Sequence, residues 1–499
     1  VKHQNGNARL NFVGTLAVIG LGSIVLAVAS GGQPNPAPNR LEQTRQSVWP
    51  TYHQNVKPII ERHCAGCHTD GGIAPFALDN EKDVTSRAAD IARVIKDKSM
   101  PPWMAGADSI KFRNERKLSV EERTTIQDWG LGGARPGQPT GATSSASMPA
   151  KRRPDMSLGM PKTYVPSSQS QDDYRCFLLD PKLTEDRFVT GYRVNPGEAS
   201  VVHHVIMYKM EGDNAEKAER LNTQTGGNGW TCFGGPNVPD APTAGGNWLG
   251  AWVPGSNESF TRDGVGIPMP KGTKLVLQMH YNIANGVKPD RTSIDLFMAP
   301  VGAKLKPMRT SLMIAPIELL CPPGSQNPLC DRANALKDNA QRFGQRSALI
   351  PDFLLQGCKK TLGDYQNVRD VSDIPTSCDY TFNQNNRLFG RVFNAPPADG
   401  FYLYGVASHM HTKGRASTIE LNPGTPQARM ILNIPKWDFH WQGSYELETP
   451  LVIKPGDTIR LTCRHDNTGG PNPSSDWTSV GPRYVVWGEG TNDEMCLGV

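Results

Sequence analysis

Between residues 55 and 129 the apolar positions recur at helical spacing. Val56, Ile59 and Ile60 line one face of Asn55–His63, Ala88, Ile91, Ala92 and Ile95 line one face of Val84–Lys98, and Val120–Trp129 reads as a third short helix. From about Asp155 the pattern changes to short strand-like runs broken by turn residues. Val201–Met210, Lys274–Tyr281, Phe401–Val406, Thr458–Cys463 and Arg483–Trp487 are examples, with one helical stretch around Ala333–Phe343. The pattern predicts a small all-α domain over residues 47–136, followed by two all-β antiparallel jelly-roll sandwiches over 155–300 and 301–499.

The connecting stretches fit that division. Residues 31–46 form a polar, Pro-rich linker, and 137–154 a flexible one rich in Gly, Ser, Thr and Ala. Lys151, Arg152 and Arg153 within it read as a solvated charge run. Residues 1–30 combine Lys2 and Arg9 with an uncharged apolar run, Leu10–Ser30, that ends in Ala27-Val28-Ala29. A cleaved signal peptide and a retained membrane anchor both fit, because the run is close to the ~18 residues needed to span a bilayer. Either way the expected location is periplasmic or otherwise extracytoplasmic.

The chain has 499 residues, enough for about three domains, and a net charge of +5 spread along its length, which argues against nucleic acid as a partner. Of its ten cysteines, two lie in Cys64-Ala65-Gly66-Cys67-His68. The other eight, at 176, 232, 321, 330, 358, 378, 463 and 496, make four disulfides the simplest expectation for an exported chain.

Cys64 and Cys67 are spaced to form thioethers to one haem, and His68 follows where an axial imidazole is needed. A zinc site would require a second Cys/His pair nearby, and a redox Cys-x-x-Cys does not need the histidine. The helical segment therefore reads as a cytochrome c domain with one covalent haem c. Met100, after the second predicted helix, is the expected sixth ligand, with Met104 as its rival. His53 and His63 read as packing or surface residues.

Five other histidines stand in three places: His203-His204, His280 in Gln278-Met279-His280-Tyr281, and His409-Met410-His411. On a strand, His409 and His411 project from one face and can grip one ion. Adjacent His203 and His204 can share an ion only if their strand bulges or they use different ring nitrogens. Gln278, on the same face as His280, is a candidate to orient that imidazole. Imidazoles alone do not name the metal, but a thioether such as Met495 would favour copper. His440 and His465 have no motif support.

The series His203-His204, Gln278-x-His280-Tyr281, His409-x-His411 and Asp493-Glu494-Met495-Cys496 resembles the copper type II ascorbate-dependent monooxygenases, the peptidylglycine α-hydroxylating and dopamine β-hydroxylase family. The resemblance implies two coppers: one for electron transfer on His203, His204 and His280, and one for oxygen binding on the catalytic set His409, His411 and Met495. It also implies Cys176–Cys232 and Cys463–Cys496 disulfides, with Cys321, Cys330, Cys358 and Cys378 pairing among themselves. The N-terminal piece, with Cys64-x-x-Cys67-His68, Ala74-Pro75-Phe76 and Met100-Pro101-Pro102-Trp103, resembles bacterial cytochromes fused to such modules.

Together these resemblances imply an exported haem- and copper-dependent monooxygenase that uses O2 to hydroxylate an activated C–H bond of a small organic substrate. Its haem would take ascorbate's place as immediate donor and be reduced by an external electron donor. The family's peptide-binding arginine would fall at Ala407, so peptide amidation is not expected. The alternatives are an electron-transfer or accessory subunit of a membrane complex with a non-catalytic copper module, and an oxidase or reductase acting on an inorganic nitrogen or oxygen species.

Overall fold

The helical periodicity produces helices where it was expected, with shifted boundaries. A π-helical turn over Tyr52–Val56 runs into Lys57–His63. The stretch expected as one helix divides into Glu81–Thr85 and Ala88–Lys96. The Thr85 and Ser86 hydroxyls bond back to the Glu81 and Asp83 carbonyls and compete with the helical ladder at the break. The last helix, Val120–Leu131, starts on a capping box in which Ser119 and Glu122 satisfy each other's backbone N–H groups. Val56, Ile60, Ile91, Ile95, Ile126 and Trp129 meet in a small core.

This computed structural model describes residues 49–499 except 70–73, 75, 114, 140–151, 170, 240–246, 254–255, 257, 284–285, 383–396 and 470–480. The apolar run Leu10–Ser30, the linker 31–46, Pro75 and most of the linker 137–154 lie outside the described residues. Among the described residues no helix is long and apolar enough to cross a membrane.

The expected architecture, a separate all-α cytochrome c domain followed by two jelly rolls, is not what forms. Pro50–Val499 is one compact unit. The chain between Ala88–Lys96 and Val120–Leu131 is used by the β body. Phe112 bridges to Leu447, Gly106 N–H donates to the Asn433 carbonyl at 2.7 Å, and Arg113 N–H donates to the Glu446 carbonyl at 2.7 Å. Ala105 and Phe112 are buried in the same core as Val406, Tyr445 and Leu447. Apolar burial and backbone pairing thus join the helical segment to the sheets.

The β body also departs from the jelly roll, which divides eight strands between two sheets. Residues 156–307 form a six-stranded sheet and a five-stranded sheet, and the short Lys306–Pro307 strand pairs parallel with Val265–Met269. Residues 313–498 form two four-stranded sheets and a two-stranded one. Helices that the sequence pattern did not signal interrupt both parts, at Asp213–Gln224 and Ile350–Gly357.

The five-stranded sheet positions the candidate site. Its central strand, Lys274–Asn282, pairs antiparallel with Asp172–Leu179 on one side and Val202–Met210 on the other. Leu275, Leu277, Met279 and Tyr281 fill the core shared with the six-stranded sheet. The opposite face carries Val276, in a cluster that includes Leu312, Ile314, Leu497 and Val499 from the C-terminal part of the chain. By the two-residue repeat of a strand, His280 lies on this second face.

Four disulfides hold the β body, at Cys176–Cys232, Cys321–Cys330, Cys358–Cys378 and Cys463–Cys496. The first and last are the pairs implied by the family resemblance. The middle two settle the pairing of the remaining cysteines. Cys463–Cys496 ties strand Thr458–His465 to the end of the chain beside Met495 across a sequence separation of 33. Replacing both of these cysteines by Ala should cost about 3–4 kcal/mol in urea unfolding, from loop-closure entropy returned to the unfolded chain. The same exchange at Cys321 and Cys330, separated by only 9 residues, should cost less.

Candidate metal centre

The strand Val202–Met210 pairs Val202 with Tyr281 and His204 with His280, so His203 is an extra residue in the ladder. This is the bulge that two adjacent histidines need if they are to turn to one side. The Nδ1 atoms of His203 and His204 each lie 3.2 Å from Nδ1 of His280. The three residues offer ligand atoms that all fall within 4.8 Å of one another, as a metal-binding triad requires. Burial and the neighbouring imidazoles push the pKa values of His203 and His204 well below the ordinary histidine range, so both rings are neutral and able to ligate.

His280 is held from behind. Its Nε2 donates to Asp172 Oδ1 at 2.9 Å, which leaves Nδ1 for an ion. Tyr174 stacks on its ring at 4.1 Å and donates its hydroxyl to the Glu489 carbonyl. Gln278 does not orient His280. Its amide donates instead to the Gly235 carbonyl at 2.9 Å and approaches Cys232 Sγ.

His409 ends the strand Phe401–His409, and His411 follows two residues later. Met410 between them is fully buried in the C-terminal core, so the two imidazoles face away from it, with ring centroids 5.1 Å apart. His409 Nδ1 is bonded to Gln442 Oε1 at 2.5 Å, which leaves its Nε2 free. His411 Nδ1 is buried without a hydrogen-bond partner, an orphan that an ion would satisfy. Burial lowers their pKa values, to about 4 for His409 and about 3 for His411.

Met495 enters through a buried carboxylate. Glu494 Oε1 accepts the backbone N–H of His411 at 2.5 Å and that of Met495 at 2.8 Å, and its Oε2 accepts that of Lys413 at 3.0 Å. Burial nevertheless pushes the Glu494 carboxyl up to about 8, because these donors offset only part of its lost hydration. The two histidine groups also meet each other, with the His204 and His409 ring centroids 6.3 Å apart. Five imidazoles from distant parts of the sequence therefore share one cluster.

The Cys-x-x-Cys-His segment is a different environment. Cys64 and Cys67 are the free cysteines among the described residues. Burial pushes the Cys64 thiol up to about 12 and raises that of Cys67, so neither is an activated thiolate. His68 Nδ1 is bonded to the Phe76 carbonyl at 3.1 Å, which directs Nε2 outward, and Phe76 packs on its ring. Met100 is half-buried after Ala88–Lys96, while Met104, its rival, packs on the C-terminal core.

Sequence reasoning missed three supports, Asp172, Phe439 and Glu494. Phe439 stacks on His203 at 4.9 Å, and its neighbour Asp438 donates its N–H to Met104 Sδ at 3.2 Å. This links the segment after Met100 to the histidine cluster. No local motif marks these residues, although Glu494 lies inside the quoted Asp-Glu-Met-Cys series. His53 and His63 pair with Glu81 and Glu122, as packing residues do.

Residues 393–498 match the family model described as copper type II ascorbate-dependent monooxygenase, C-terminal domain. The chain is 30% identical over 105 residues to DBH-like monooxygenase protein 2 of Mus musculus, across 21% of this chain and 15% of that protein. It is 26% identical over 113 residues to putative DBH-like monooxygenase protein 2 of Homo sapiens, across 21% of this chain and 22% of that protein. The chain thus spans less than a quarter of the length of these relatives. A solved structure of allantoicase overlaps at a TM-score of 0.14 with 9% identity, covering 67% of this chain and 80% of that one, which carries no argument about fold. The matched residues include the strand bearing His409 and the segment bearing Met495, so this C-terminal part is similar to the C-terminal domain of the copper type II ascorbate-dependent monooxygenases.

Proposed function

We propose that this protein is an extracytoplasmic copper-dependent monooxygenase that hydroxylates an activated C–H bond of a small organic molecule with O2. In this reading residues 155–300 and 301–499 are the two copper-holding halves. His203, His204 and His280 hold one copper, and His409, His411 and Met495 hold the other. The observation that carries the reading is the shared cluster itself: three converging Nδ1 atoms beside a second imidazole pair whose His411 Nδ1 is buried and unpartnered. A set of neutral imidazoles with one thioether suits a metal that alternates between Cu(II) and Cu(I).

Copper at these sites supplies one-electron chemistry for the activation of dioxygen. The chain's own residues do the rest. Asp172 and Gln442 set which nitrogen of His280 and of His409 faces the ion. Glu494 holds the backbones of His411 and Met495 together. Tyr174, Phe439 and Trp437 enclose the imidazoles with aromatic surface that limits water.

In the same reading Cys64 and Cys67 would hold a haem c by thioether bonds, and His68 and Met100 would be its ligands. The fit rests on two free, unactivated thiols and an imidazole whose Nδ1 is already bonded to a carbonyl. Such a haem supplies single electrons. The Met104–Asp438–Phe439–His203 contacts form a bonded and stacked link from the chain after Met100 into the cluster. An external protein or quinol-linked donor would reduce the haem.

Purified protein should contain two coppers and one haem per chain by elemental analysis and pyridine haemochrome absorbance. His411→Ala should abolish copper-dependent oxygen uptake while leaving the haem spectrum unchanged. With 18O-labelled dioxygen and a turned-over substrate, the label should appear in the organic product. Label found only in water would replace the monooxygenase with an oxidase.

A further inference from the structure

One carboxylate touches both halves of the cluster. Asp172 begins the strand Asp172–Leu179 and pairs across the ladder with Asn282, while Tyr174 pairs with His280. The two-residue repeat therefore places Asp172 and Tyr174 on the face that carries His280. Asp172 Oδ1 accepts from His280 Nε2 at 2.9 Å, Thr491 Oγ1 at 2.8 Å and Asn282 Nδ2 at 3.0 Å. Its Oδ2 accepts the Thr491 backbone N–H at 3.0 Å. The side chain is only 13% exposed.

Thr491 belongs to the segment that ends in Met495, and that segment is clamped along its length. Asp493 accepts from the guanidinium groups of Arg342 and Arg483, and Glu494 takes the N–H groups of His411 and Met495. A displacement at Thr491 therefore reaches Met495 through a short, stiff stretch of backbone. Hydrogen bonds from His280, Thr491 and Asn282 thus fix the Asp172 carboxylate in the site.

We propose that Asp172 is a positioning residue shared by the two metal sites. It locks His280 as the tautomer that presents Nδ1 to its ion, and through Thr491 it straps the Met495-bearing segment to that same imidazole. This rests on the copper reading above and adds a mechanical and electrostatic link between the two sites. A carboxylate behind a ligating imidazole makes it a stronger donor and favours the more highly charged Cu(II). A strap from that carboxylate to the thioether segment makes the geometry of the second site depend on the first.

The test uses the full chain, copper alone as the probe, and two near-isosteric variants, Asp172→Asn and Thr491→Val. Asp172→Asn removes the charge and places an amide N–H against one of the four donors. Thr491→Val removes the hydroxyl bond and leaves the charge. The expected result for Asp172→Asn is several-fold weaker Cu(II) binding, a higher copper reduction potential, and a reduced Cu–S signal in X-ray absorption of the Cu(I) protein. Thr491→Val should keep the Cu(II) affinity and the potential but lose part of the Cu–S signal.

In metal-free protein, imidazole 15N shifts should report His280 protonated at Nε2 in the wild type and in Thr491→Val, and a mixture of tautomers in Asp172→Asn. Unchanged affinity, potential, Cu–S signal and tautomer in Asp172→Asn would overturn the proposal. If wild-type protein binds no copper, the copper reading fails, and the tautomer measurement still decides whether Asp172 positions His280.

Discussion

The arrangement depends on one constraint, the distribution of burial across the strand Lys274–Asn282. This strand is buried on both faces, but by different partners. Its odd-numbered residues pack into the core shared by the two N-terminal sheets, and on its even-numbered face Val276 joins a cluster in which N-terminal side chains meet Leu312, Ile314, Leu497 and Val499. His280 therefore lies where the two parts of the β body meet, beside histidines from both. The bulge at His203 then matters, because a regular strand would send one of the two adjacent histidines into the hydrocarbon core. An extra residue resolves that conflict and turns both rings toward His280.

The polar network around the cluster answers the cost of burying so many polar groups. Two of the imidazoles are held from outside the cluster, His280 by Asp172 and His409 by Gln442. The carboxylates themselves are satisfied, Asp493 by two arginines and Glu494 by three backbone N–H groups. His411 Nδ1 is buried without a hydrogen-bond partner, as are other polar atoms among the described residues, both ring nitrogens of His465 included.

Local patterns misjudged the outer architecture for a definite reason. Helical spacing over residues 55–129 identified real helices with a core of their own. Periodicity is silent about the segment between them, and Ala105 and Phe112 bury against Tyr445 and Leu447 of the β body. A separate all-α domain was the natural reading, because only a long-range contact such as the Phe112–Leu447 bridge shows otherwise. The jelly-roll expectation failed likewise. Strand-forming runs reveal that sheets will form, whereas their order and number depend on which edges find partners.

The chain's order of residues by itself determined which donor types are available and how they are spaced: which histidines stand two apart, that adjacent histidines need a bulge to turn to one side, which cysteines stand in the Cys-x-x-Cys-His stretch, and where a thioether lies. These follow from the backbone repeat and from donor type, and they need no knowledge of the fold. Only the tertiary structure decided that His204 and His409 become neighbours, that Asp172 rather than Gln278 supports His280, and that Glu494 joins His411 to Met495. Those partners are set by the burial of whole sheet faces against one another, an energy summed over many side chains and not written in any short stretch of sequence.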